Sequence, residues 1–228
     1  MCGRTSLFAP QSVVQARFDA TADQPLEPRY NIAPREDLAV VRNDAPDTID
    51  LLEWGLIPSW VDDPDGAPQP INARAETVTE KPTFAEAFER RRCLVLADGF
   101  YEWRDTRGGS QPYRVERVDG EPFAMAGLFE RWESGEQVKE TVTVVTTEPN
   151  AVVEPLHDRM AAVLDPDGEA TWLSNADPET HQGLLEPSPA EQWQSYPIST
   201  RVNDPTNDDP GVIEKVTPDR QTGLGDFE

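Results

Sequence analysis

The second residue of this chain is a cysteine, and that position offers chemistry open to no internal cysteine. Cys2 is small enough for Met1 to be cleared ahead of it, by an aminopeptidase or by the protein itself. Clearance leaves an α-amine and a thiol on adjacent carbons. An ordinary α-amine, of pKa about 7.7–8.0, is partly unprotonated and nucleophilic near neutrality. With an aldehyde it condenses to an imine and releases water. The thiol then adds across the C=N bond and closes a five-membered thiazolidine. The alternative is that Cys2 is merely an early residue of a frayed terminus. The other cysteine, Cys93, stands in the apolar run Cys93-Leu94-Val95-Leu96 and is expected to be a small core residue.

Three further clusters carry groups suited to such a reaction. Asn72-Ala73-Arg74-Ala75-Glu76-Thr77 is polar and follows a proline-rich loop. Asn72 either holds a terminal amine or sugar oxygen, or caps the chain that follows. Arg74 presents a planar fork suited to phosphate. Asp98-Gly99-Phe100-Tyr101-Glu102-Trp103 sets a carboxylate between bulky rings. Glu102 either faces solvent or is desolvated, with a raised pKa suited to proton transfer. Leu156-His157-Asp158-Arg159-Met160 places His157 between charged neighbours at a loop-to-strand junction, as an acid/base or as a structural hydrogen-bonding group. The second histidine, His181, lies in a polar, helical stretch.

The elements that must position these groups fit one domain of 228 residues. No run of eighteen apolar residues is present, so no membrane span is expected, and no secretory leader opens the chain; a cytoplasmic protein is expected. Two cysteines and two histidines predict neither a disulfide framework nor a metal site, and no cofactor is called for. Gln11–Phe18 and Thr83–Arg91 have helical spacing. Leu38–Val41 and Ile49–Trp54 read as strands around a polar turn, Asn43–Thr48. Strands are expected at Cys93–Ala97, Phe100–Arg104, Tyr113–Val118, Phe123–Leu128, Thr141–Thr146 and Met160–Leu164, with a helical turn at Glu148–Val153. Short helices are expected at Glu169–Ser174 and Glu179–Leu185. The pattern is α+β, strand-dominated, without regular βαβ alternation. Residues 1–203 are expected to form the domain, and 204–228 an acidic, mobile tail.

Charge argues against nucleic acid. Asp and Glu number 43 against 20 Lys and Arg, a net charge of −23, and the only lysines are Lys81, Lys139 and Lys215. Acid excess with few lysines resembles the proteins of salt-loving organisms, where salt screens repulsion to roughly 3 Å at 1 M. The alternative is an acidic protein that avoids DNA, since DNA binding usually leaves a basic footprint.

Taken in order, the segments resemble the SOS response associated peptidase (SRAP) family of abasic-site processing proteins. The resemblance rests on Met1-Cys2-Gly3-Arg4, Tyr30-Asn31-Ile32-Ala33-Pro34, Trp54-Gly55-Leu56-Ile57-Pro58 with Trp60, and Asn72 to Thr77. It continues through Arg91-Arg92-Cys93-Leu94, Asp98 to Trp103, Ala126-Gly127-Leu128-Phe129-Glu130, Thr146-Thr147 and His157-Asp158-Arg159-Met160. Ala161 and Leu96 depart from prolines frequent in the family.

The resemblance implies a compact domain with a β-barrel-like, mixed-strand core and peripheral helices. It implies that Cys2 captures the ring-opened aldehyde of an abasic site in single-stranded DNA as a thiazolidine crosslink, with autocatalytic Met1 removal and lyase-type side chemistry. Asn72 would orient the N-terminus, Glu102 would transfer protons and His157 would help open the sugar. Arg4 and Arg74 would meet phosphates, while Pro34 and Trp60 would lie where the DNA bends; against the acidic exterior, a local DNA-binding groove lined by Arg4, Arg74 and Arg159, with Arg91 and Arg92, is expected. A monomer suffices for this chemistry. The competing reading is an N-terminal-nucleophile amidohydrolase, in which Cys2 attacks an amide.

Overall fold

The computed structural model describes residues 3–106 and 109–217. In chain order the elements are β1 (Thr5–Leu7), α1 (Gln11–Phe18), β2 (Thr21–Ala22), β3 (Arg29–Ile32), β4 (Asp37–Arg42), β5 (Ala45–Trp54) and β6 (Asn72–Arg74). They continue with α2 (Ala85–Arg90), β7 (Arg92–Ala97), β8 (Gly99–Thr106), β9 (Gly109–Arg117), β10 (Phe123–Ser134) and β11 (Gln137–Thr147). The last are β12 (Met160–Ala161), β13 (Val163–Leu164), α3 (Pro166–Leu173), α4 (Pro178–Gly183) and β14 (Trp193–Pro197).

Five strands close on themselves. β10 pairs β7, β7 pairs β4 and β4 pairs β5, all antiparallel; β5 then pairs β11 in parallel, and β11 returns antiparallel to β10. The result is the closed, mixed-strand barrel core of an α+β domain. Burial follows from closure: all six residues of β7 are buried, which explains the unbroken apolar run around Cys93. Gly127 faces Cys93 across the barrel wall, and a Cβ there would come within 2.7 Å of Val95 and 2.9 Å of the Cys93 thiol.

A second sheet, in the order β14-β9-β8-β1-β3, is antiparallel throughout. Phe100 of β8 packs against Phe123 and Trp193 on the barrel side. Tyr101 points the other way, onto Ile198, Val202 and Val212. Because both faces are covered, β8 is buried from Gly99 to Glu102 and shows no hydrophobic alternation.

Most expected elements are present, with altered ends. α1 spans Gln11–Phe18 as expected. α3 and α4 begin earlier than expected, because Asp165-Pro166 and Asp177-Pro178 supply a carboxylate cap followed by proline at the first helical position. The turn expected over Asn43–Thr48 is only Asn43 and Asp44; Ala45 onward is extended, and a register shift next to Arg42 absorbs the extra residues. Residues 204–217, expected as part of a mobile tail, pack on the second sheet. Asp208 accepts the backbone N–H groups of Tyr30 and Asn31 at 2.5 and 2.9 Å. The amide of buried Asn31 reaches the carbonyls of Asp204 and Asn207, and the Val216 N–H bonds Pro197. These local carboxylate and amide contacts outweigh the poor apolar content that suggested disorder. Residues 218–228 lie outside the described residues. No helix among the described residues is long and apolar enough to cross a membrane.

Two helices are fastened to the barrel by one cation. Arg92, only 2% exposed, donates to the carbonyls of Phe88, Glu89, Trp172 and Ser174 at 2.7–2.8 Å. These oxygens end α2 and α3, where carbonyls lack partners within their own helices and negative dipole ends collect. Replacement by Arg92→Leu would strand the buried carbonyls of Phe88 and Trp172 and release those of Glu89 and Ser174, and the expected loss in urea unfolding is roughly 3 kcal/mol. A loss below about 1 kcal/mol would mean that water or relaxation satisfies those carbonyls.

Candidate active site

The site begins with how the chain start is held. β1 lies between β3 and β8, with Thr5 opposite Phe100 and Ser6 opposite Gly99. The Arg4 carbonyl accepts the Tyr101 N–H at 3.0 Å. Continued by two residues, this register sets Gly3 opposite Glu102. Cys2, the candidate nucleophile, and Met1 lie outside the described residues.

A buried charge cluster locks that register. One oxygen of Asp98 accepts the backbone N–H groups of Phe8 and Ala9 at 2.5 and 2.9 Å. The other takes the Ser6 hydroxyl at 2.6 Å and the Arg114 guanidinium at 3.3 Å. Arg114 also donates to Ser6, Glu116 and the Asp98 carbonyl, and lies over the rings of Phe8 and Tyr101. Asp98, Ser6 and Arg114 were not singled out as site residues by sequence reasoning. The signal was an acid starting the Asp98-Gly99 pair, but its partner Arg114 lies sixteen positions away.

Glu102 follows Phe100 by two residues, so it shares the inward face of β8. It is 2% exposed, and burial pushes its carboxyl from 4.5 up to about 7, with the nearby Asp158 carboxylate acting in the same direction. Of the two readings left open by the sequence, the desolvated one is correct. The group stands near half-protonation at neutral pH and can both accept and donate a proton.

Asn72 and His157 reach the same end of the barrel from opposite edges of β11. Asn72 opens β6, which runs parallel to β11 with Asn72 opposite Val144 and Arg74 opposite Thr146. The Trp54 indole donates to the Ile71 carbonyl at 2.9 Å and fixes the approach. On the other edge, Ala161 of β12 also faces Thr146. His157 sits just before β12, after a turn that the Asn150 side chain caps through the Val152 and Val153 N–H groups. Its Nδ1 accepts the Arg159 N–H at 2.9 Å. The Asp158 carboxylate is also 2.9 Å from Nδ1, a contact that needs a proton there. The backbone donor decides: Nδ1 is the acceptor, Asp158, 88% exposed, stays solvated, and the proton resides on Nε2. Burial lowers the His157 pKa and favours this neutral ring.

The arginines divide. Arg74 is exposed and makes no ion pair among the described residues. Arg4 is half-buried and donates to Asn31 at 2.8 Å and to the Val202 carbonyl at 2.6 Å; burial lowers its pKa. Arg159 grips Glu76 with both terminal nitrogens and reaches the Thr146 carbonyl at 2.6 Å. Arg91 pairs with Glu86 and Glu130, and Arg92 is buried under the two helices. The expected arginine-lined groove therefore loses Arg91 and Arg92. Arg92 marks a buried barrel strand and its helix contacts, and half-buried Arg91 is neutralised by two carboxylates.

Pro34 is half-buried in the β3–β4 connection. Trp60 is 65% exposed at the rim of a hollow of about 430 Å³ lined by Pro58, Pro70, Lys81 and Phe84. Its loop is strapped to the β10–β11 hairpin, where the Trp132 indole donates to the Val61 carbonyl at 2.7 Å and Lys139 pairs with Asp65. His181 is buried against Phe88 and Trp172, and Cys93 is buried with its thiol pKa raised by desolvation; both are packing groups. Among the described residues, no three His, Cys, Asp or Glu side chains converge as metal ligands.

A family model described as SOS response associated peptidase (SRAP) matches residues 1–205. Abasic site processing protein YoqW of Bacillus subtilis is 38% identical over 222 residues, covering 94% of this chain and 99% of its own. Abasic site processing protein HMCES of Xenopus tropicalis is 31% identical, covering 95% of this chain and 78% of its own. A crystal structure of a protein from Bacteroides thetaiotaomicron superposes with a TM-score of 0.85 at 27% identity, covering 95% of this chain and all of that one.

The raised Glu102 pKa has a thermodynamic signature. An acid that holds its proton more tightly in the native state stabilises most below its unfolded value. That contribution fades as pH rises from 4.5 to about 7 and changes no further above it. Relative to Glu102→Gln, the native protein should therefore lose roughly 3 kcal/mol across that window, measured by denaturant unfolding at each pH. A difference that stays level from acid to neutral pH would show Glu102 ionised and paired instead.

Proposed function

The chain belongs to the SOS response associated peptidase (SRAP) family, and on that premise we propose that it captures abasic sites in single-stranded DNA covalently through Cys2. Its relatives are named abasic site processing proteins, so the substrate class is DNA that has lost a base. The observation that supports the reading is the β1–β8 register, which, continued to Gly3, sets that residue opposite the buried carboxyl of Glu102, of pKa about 7.

Met1 is first hydrolysed away, by the protein itself in this reading, with Glu102 activating water. The abasic sugar must open to expose its aldehyde. As the C1′–O4′ bond breaks, the C1′ hydroxyl proton passes to water and O4′ takes one from water, while the Nε2–H of neutral His157 would hydrogen-bond O4′ and stabilise the charge developing on it. The freed α-amine, oriented by Asn72, adds to the aldehyde carbon. Glu102 carries the two nitrogen protons in turn to the former carbonyl oxygen, first making a hydroxyl and then letting it leave as water, so an imine remains. The Cys2 thiol then adds to the imine carbon and its proton passes to the nitrogen, closing the thiazolidine. Diversion of the imine to β-elimination would cut the strand and accounts for a lyase side activity. Arg74 and Arg159, with Arg4, would hold flanking phosphates, and Pro34 and Trp60 would meet the strand where it bends. A single copy supplies every group, and no metal or cofactor enters a step.

Covalent capture also fits a chain of charge −23. Phosphate contacts weaken steeply with salt, whereas a covalent bond outlasts a weak encounter. The test is a denaturing gel after incubation with a single strand carrying one abasic site, at low and high salt. Wild type should give a heat-stable shifted band; Cys2→Ala, and a variant with one residue inserted before Cys2, should give none. If wild type gives no band although mass spectrometry shows Met1 removed, capture is wrong and Cys2 belongs to amide hydrolysis.

A further inference from the structure

Glu76 occupies an unusual place for an acid in a chain built to hold a polyanion. It follows β6 in the short helical turn Ala75–Thr77, which the Gln182 side chain pins by its bond to the Ala75 carbonyl. Its two oxygens fill the Arg159 fork, one of them 2.9 Å from Nη2. Arg74, two residues earlier, adds its positive charge, and both arginines act to lower the Glu76 pKa. The two cations come from strand segments on opposite edges of β11, where Arg74 faces Thr146 and Arg159 donates to the Thr146 carbonyl. The Glu76 carboxylate is thus gripped by Arg159 and lies in the field of Arg74, two cations that stand two residues after His157 and Asn72 respectively. Bidentate carboxylate and bidentate phosphate contacts to arginine share one geometry.

Burial decides which member of the pair can leave. The Arg159 side chain is 13% exposed and is also held by the Thr146 carbonyl, whereas the Glu76 side chain is 50% exposed. Glu76 can swing into water, where its charge is fully solvated; Arg159 cannot leave without stranding a carbonyl. We propose that Glu76 is an internal stand-in for a nucleic-acid phosphate, occupying the Arg159 fork until the backbone of the bound strand displaces it. This inference rests on the reading of the site as a single-stranded DNA site. It makes the free energy of the initial encounter a competition between one carboxylate of the protein and one phosphate of the strand.

The experiment measures binding of a fluorescent single strand without any abasic site, by anisotropy at fixed salt, so that no covalent step contributes. Glu76→Gln should bind roughly three- to tenfold more tightly than wild type, as expected for release of one partly exposed ion pair. Glu136→Gln, which removes an equal charge at the β10–β11 turn, should stay within about twofold of wild type. In an Arg159→Gln background, Glu76→Gln should bring no gain. Equal or weaker binding by Glu76→Gln, or an equal gain in the Arg159→Gln background, would overturn the inference. Capture of abasic DNA by wild type is scored in parallel. Capture without the Glu76 effect sinks this inference alone, and wild type that neither binds nor captures sinks the DNA reading with it.

Discussion

The pairing of Asp98 with Arg114 underlies the rest of the site. Both side chains are buried, a situation that favours folding only when every polar atom finds a partner. Here the partners include the chain start itself. Asp98 collects the Ser6 hydroxyl and the N–H groups of Phe8 and Ala9, and Arg114 closes over them. Gly99 is required beside this cluster, because a Cβ there would lie 2.4 Å from the Arg114 guanidinium. The cluster therefore converts a terminal segment, which in most domains frays, into a strand of fixed register. Without that register Glu102 would still be buried, but nothing would bring Gly3 to it.

A second constraint is charge. With 43 acidic residues against 20 basic ones, most arginines are drawn into service inside the molecule. Arg92 collects helix ends, Arg114 holds the chain start, Arg17 pairs with Glu169 and Arg29 bridges Glu36 and Asp208. The three arginines proposed to meet phosphate differ by degree of commitment. Arg74 is open, Arg4 is tied to neutral oxygens and retains its charge, and Arg159 is neutralised by Glu76. A net charge read from composition averages over these cases. It reports the exterior, and the geometry of one strand end decides what a ligand meets.

The second sheet shows how covering both faces of a strand changes its chemistry. On one side of β8 lies the barrel. On the other lies the segment 198–212, held by Asn31, Asp208 and the small core around Tyr101. Burial on the barrel side raises the Glu102 pKa, since a charged carboxylate there loses its solvation. Residues 204–212 of that segment, expected from composition to be tail, are thus part of what covers the Tyr101 face of the sheet.

Sequence by itself determined the local facts. Helical spacing marks Gln11–Phe18 and the apolar run at Cys93 marks a buried strand; the Asp-Pro pairs that start α3 and α4 are equally local, although the spacing of the residues after them set the expected starts too late. Residue order also carried the family, since nine segments in register constrain more than any periodicity does. Only the tertiary structure decided the rest. The three- and four-residue strands β1, β3 and β6 exist because longer neighbours offer them hydrogen bonds, and no pattern within so few residues records that. The ionisation of Glu102, the tautomer of His157 and the capture of Arg159 by Glu76 each depend on groups distant in sequence or on water removed by packing. Such effects are properties of distance and dielectric, and a linear chain specifies neither until it folds.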